Sequence, residues 1–150
     1  MTTDCRNTYI TRYKYDESPE IKVHNGDILF VKTGSTLGKS ALISELFEDA
    51  TLNPQVVVLR VQEGIEKFVA AALMTDNIRL QVNASKIGGA VPTLTESKIN
   101  DFSIMIPKTN GEKVQIGNFF AKINSLITLH QRKHEKLKQL KQSLLQKMFV

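Results

Sequence analysis

The chain is poor in the residues that carry covalent and metal chemistry. Of its 150 residues one is a cysteine, Cys5, and three are histidines, His24, His130 and His134. A single thiol excludes an internal disulfide framework and a cysteine-based zinc site, and fits a reducing, cytoplasmic compartment. His130 and His134 stand four apart, on one face of a helix. Their neighbours are Arg132, Lys133, Lys136 and Lys138, with Glu135 as the one carboxylate close by. That is a poor cradle for a cation, so no metal and no cofactor is expected. No apolar run approaches the roughly 20 residues of a membrane span, and Met1–Arg6 lacks the basic-then-apolar order of a secretory signal; no membrane is expected among the partners. Four prolines and eight glycines are too few for a collagenous or low-complexity chain.

What is present is ordinary globular material, 41% hydrophobic and 23% charged. The length suits one domain, or a small domain with an appendage. The net charge of +5 is unevenly placed: residues 1–111 hold 12 Lys/Arg against 13 Asp/Glu, and residues 112–150 hold 8 against 2. Two physically different modules are implied, the second suited to anionic partners or to a solvated lysine face.

Residues 1–110 punctuate themselves. His24-Asn25-Gly26-Asp27 is a turn between a short strand at Ile21–Val23 and a buried one at Ile28–Val31. Ala41–Phe47 fits a strand or a helical turn. After the turn at Asn53-Pro54, the β-branched run Gln55–Val61 predicts a central strand. Ile65, Phe68, Val69 and Ala72 share a helix face, whereas Ile78–Val82 alternates and predicts a strand. Gly88, Gly89 and Pro92 mark a loop, Thr95–Asn100 a helical turn, and Phe102–Ile106 a last strand ended by Pro107. The expected class is α+β, β-rich in its first part.

From Glu112 to Phe149 there is no proline and one glycine, Gly117. Ile116, Ile123, His130, Leu137 and Leu144 recur every seven residues, flanked by Phe120, Ile127, Leu140 and Met148. This predicts one amphipathic helix of roughly 37 residues, about 55 Å long. A domain of about 110 residues is some 30 Å across. The far part of the stripe therefore has nothing of its own to cover it, and a long exposed apolar stripe is an association surface. Ile116, Phe120, Ile123, Ile127, Leu137, Leu140, Leu144 and Met148 are the candidate partner-helix residues.

The segment Gly34–Ser40 invites comparison with a phosphate-binding loop of a nucleotide-hydrolysing enzyme. That pattern needs four residues between its glycines and has three here, and Ala41–Ser44 is a weak candidate for the helix that must follow. Small residues flanked by Lys32 and Lys39 also suit a DNA phosphate backbone. Arg12-Tyr13-Lys14 and Arg79, Gln81, Asn83 and Lys86 add polar and basic groups of the kind that read base edges. The candidate DNA-binding residues are Lys32, Ser35, Thr36, Lys39, Gln81, Asn83 and Lys86. No catalytic residue is expected.

In order and spacing these motifs form a pattern. Gly26-Asp27-Ile28-Leu29-Phe30-Val31-Lys32-Thr33-Gly34 with Gly38-Lys39, then Gly89-Ala90-Val91-Pro92-Thr93-Leu94 and Phe102–Pro107, resemble the target recognition domain of the specificity (S) subunit of type I restriction–modification systems. Lys113–Phe120 and Leu137–Phe149 resemble that family's conserved helical region. The resemblance implies a target recognition domain over 1–110, shortened at its N-terminus, and a spacer and dimerisation helix over 111–150. An S subunit normally carries two such domains and two long helices paired antiparallel as a coiled coil, so this is a half-size form. It further implies a non-catalytic, cytoplasmic, sequence-specific DNA-binding subunit. Its expected partners are double-stranded DNA, methyltransferase (M) subunits, the restriction (R) subunit and a second copy of itself. A non-DNA-reading interaction protein, a truncated S subunit, is the alternative, with the nucleotide-binding enzyme behind it.

Overall fold

The computed structural model describes residues 10–62 and 64–149. Cys5, Arg6, Tyr9 and the N-terminal segment read against a secretory signal lie outside the described residues. The elements run α1 (Arg12–Glu17), a 3-10 turn at Pro19–Ile21, β1 (Lys22–Val23), β2 (Ile28–Val31), β3 (Ser40–Leu42), β4 (Ala50–Thr51) and β5 (Val56–Leu59). Four helices follow: α2 (Glu66–Ala72), α3 (Asp76–Ser85), α4 (Glu96–Asn100) and α5 (Asn110–Met148). The class is α+β with a long C-terminal helix, as expected.

Three antiparallel strands in the order β3-β2-β5 form the main sheet. Ile28 and Phe30 point inward from β2 and are fully buried. They meet Ala70 and Leu73, on and just after α2, Ile78 and Val82 of α3, Leu94, and Ile99 of α4. Phe102 packs edge-on against Phe30 at 6.2 Å. A second ribbon pairs Lys22 with Thr51 and Val23 with Ala50.

Three sequence expectations are corrected. The run at 55–61 is an edge strand, because β2 lies between it and β3; its four residues are only partly buried. Ile78–Val82 is helical. Ile78 and Val82 lie four apart and face the core, while Leu80 between them is 66% exposed, so the alternation came from a chance leucine on the outer face. Phe102–Ile106 is irregular and pairs with no strand among the described residues. Met105 is 89% exposed, and the segment is held by side-chain bonds instead.

The turn at 24–27 forms as expected, with Gly26 at φ +92°. The buried Asp27 carboxylate organises it, accepting from the His24 N–H at 2.9 Å and from Arg60 Nε at 3.3 Å. Helix α5 starts at Thr109, whose hydroxyl accepts from the Glu112 N–H, a cap on the first exposed amides. Its 39 residues span about 58 Å. Its first turns cross α2, with Gly117 buried at the crossing.

Candidate nucleic-acid interface and pairing helix

The β2–β3 hairpin places the first group of basic residues. Val31 and Lys39 close it, with the Val31 N–H donating to the Lys39 carbonyl and the Gly38 N–H to that of Val31, both at 2.9 Å. Gly38 has φ +84°, and a Cβ there would lie 3.2 Å from Val82 Cγ1 of α3. A side chain at 38 would be strained at that φ and would crowd Val82. This contact brings Lys39 beside α3. Between them is a cleft of about 390 Å³ lined by Lys39, Ser40, Thr75, Arg79 and Asn83 over a floor that includes Leu37 and Val82. The Ser40 hydroxyl is shielded and has no hydrogen-bond partner among the described residues.

The predicted residues divide. Ser35 and Thr36 stand exposed at the hairpin tip, and Lys39 is exposed at the cleft rim. Lys32 has a half-buried stem and an ammonium paired with Glu96 at the start of α4. The hydrogen bond from Lys32, reinforced by its charge, holds the Glu96 carboxyl below its ordinary range. Asn83 and Lys86 are exposed, with Lys86 Nζ 3.2 Å from Asn83 Oδ1. Gln81 lies on another face of α3. Its amide donates to the Ser103 carbonyl at 2.8 Å, and its oxygen accepts from the Ser103 N–H at 2.9 Å. It ties down the 102–106 segment.

Along the sequence Arg79 stands only among scattered polar groups. Once α3 is a helix, Arg79, Asn83 and Lys86 stand at i, i+4 and i+7, on one face. The strand reading hid that stripe, since alternation separates 79 and 83 from 86.

The loop at 34–40 leads from one strand into another, so no helix follows it in the chain. The premise of a mononucleotide-binding loop is missing. Among the described residues no group of three potential metal ligands is gathered, and no helix is long and apolar enough to cross a membrane.

The partner-helix residues also divide. Ile116 lines an apolar groove with Phe68 and Phe120, and Ile116 and Ile123 are half-buried. Beyond them Ile127, Leu137, Leu140, Leu144 and Met148 are between 49% and 75% exposed. The far half of α5 thus carries an uncovered apolar stripe among basic residues, as its spacing predicted.

Comparison with known proteins follows the same lines. A family described as "Type I restriction modification DNA specificity domain" matches residues 3–139. No curated protein matches. Among solved structures, the chain is similar to the S subunit of a type I restriction-modification system from M. genitalium, at a TM-score of 0.55 and 16% identity. That likeness covers 79% of this chain and 33% of the other, so the chain spans about a third of the length of its structural relative.

Proposed function

The chain belongs to the type I restriction–modification DNA specificity family, and from that premise we propose that it is a non-catalytic DNA-reading subunit that works as a pair. In this reading residues 1–110 form the recognition domain and 111–150 the spacer. The observation that carries it is the uncovered stripe on α5. Fully burying a leucine is worth about 1.5–3 kcal/mol, and Leu137, Leu140 and Leu144 are more than half exposed in one copy. A second α5 laid antiparallel covers both stripes and forms a coiled coil. Isologous pairing places two identical recognition domains about a two-fold axis. Such a dimer reads an interrupted palindrome, with the helices setting the spacer.

Lys32, Ser35, Thr36, Lys39, Asn83 and Lys86 supply the DNA surface, and methyltransferase subunits, with a restriction subunit, dock on the paired assembly. Co-expression with a methyltransferase subunit, followed by mapping of methylated adenines, tests the reading. The expected result is modification at both halves of a split inverted repeat. Complex formation without sequence-selective modification would instead favour an interaction protein that competes for partners.

A further inference from the structure

We propose that α3 is the element that reads base pairs, with Arg79 and Asn83 as its specificity-determining side chains and Lys39 as a phosphate anchor across the cleft. The inference rests on the DNA-recognition reading above and assigns its chemistry to particular atoms.

The faces of α3 are already divided by what they touch. Ile78 and Val82 are buried in the core. Asn77 and Gln81, on a second side, both donate to the Ser103 carbonyl. The remaining face carries Arg79 and Asn83 one turn apart, with Leu80, 66% exposed, beside them. A guanidinium forks onto the O6 and N7 of guanine, an amide onto the N6 and N7 of adenine, and an apolar side chain meets the thymine methyl. These are the residue types a helix brings into a major groove about 12 Å wide.

Neither polar group is locked. Arg79 pairs with Asp76 at 3.0 Å, but both side chains are more than 70% exposed, and such a surface pair is readily exchanged. The Lys86–Asn83 contact is equally exposed. Lys39 stands on the opposite rim of the same cleft, on a hairpin fixed against Val82 by Gly38. A duplex laid over the rim offers base edges to α3 and a phosphate to Lys39. Phosphate contacts set position, and base contacts set sequence.

The test is selection by the full chain from a pool of random DNA duplexes, repeated with Arg79→Ala, Asn83→Ala and Lys39→Ala. Their urea unfolding midpoints verify the fold, and Arg79→Lys serves as a second variant that keeps the charge. Wild type is expected to enrich a motif. Arg79→Ala and Arg79→Lys should lose preference at a guanine position by about tenfold or more, and Asn83→Ala at an adenine position. Lys39→Ala should weaken binding to every sequence and lower the salt slope without moving the motif. A wild-type motif that survives unchanged in both the Arg79 and Asn83 variants overturns the assignment to α3 and leaves the DNA-reading function standing. A wild type that enriches no sequence overturns the function and this inference together.

Discussion

Gly117 of α5 lies against the backbone of Phe68 in α2, so close that a Cβ built on it would sit 2.6 Å from the Phe68 amide nitrogen and 2.9 Å from Lys67 Cβ. A glycine inside a helix costs about 1 kcal/mol relative to alanine. Here it permits a crossing that no other residue allows, and so sets where the long helix leaves the packed part of the molecule.

Gly117→Ala should therefore destabilise, by about 1–3 kcal/mol, because the nearest atom is a backbone nitrogen of α2 that cannot swing aside. Gly111 is the control. It is in the first turn of the same helix with nothing within 4 Å of its Cβ position. Gly111→Ala should be neutral or stabilising by up to about 1 kcal/mol. Urea unfolding of the two variants checks the opposite signs.

Gln81 is expected to act on stability rather than on sequence preference. Its two bonds to the Ser103 backbone should be worth roughly 1 kcal/mol each. Gln81→Ala should lower the unfolding free energy by about 1–2 kcal/mol and increase amide exchange over residues 102–106, while the preferred DNA motif stays the same.

The Lys32–Glu96 pair gives a pH signature. The Glu96 carboxyl is held below its ordinary value of 4.5, first by the Lys32 hydrogen bond and then by the lysine charge. A depressed carboxyl contributes stability above its unfolded pKa and loses it as the pH falls through the lower folded value. The stability difference between wild type and Glu96→Gln should therefore be largest near neutrality and should shrink as the pH falls below about 4.5, as followed by urea midpoints. Glu96→Gln also releases the Lys32 ammonium, so DNA binding should tighten and its salt slope should steepen by about one ion.

Much of this was legible along the chain, where local spacing and burial agree. Ile28 and Phe30 alternate on β2 and face the core. The heptads from Ile116 to Met148 appear as one unbroken helix. Legibility failed where two periods fit the same letters. Ile78, Leu80 and Val82 satisfy alternation, and only the exposure of Leu80 shows that the period of α3 is helical. Phe102, Ile104 and Ile106 alternate too, but a strand needs a neighbour, and the segment is bonded to Gln81 instead. The cleft was out of reach because Lys39 and Arg79 are forty positions apart and meet through the Gly38–Val82 contact, a feature of packing with no local signal.

The pairing of α5 is the claim on which the DNA geometry depends, and the mass of the full chain by light scattering during gel filtration tests it most directly. At micromolar concentration a dimer of twice 16.9 kDa is predicted. Leu140→Glu with Leu144→Glu should weaken it by roughly a hundredfold or more, since two leucines lose their burial. The unfolding midpoint of the packed part should hold, because both positions are more than half exposed in one copy. A mass of 16.9 kDa at every concentration tried, with the stripe intact, would contradict the account.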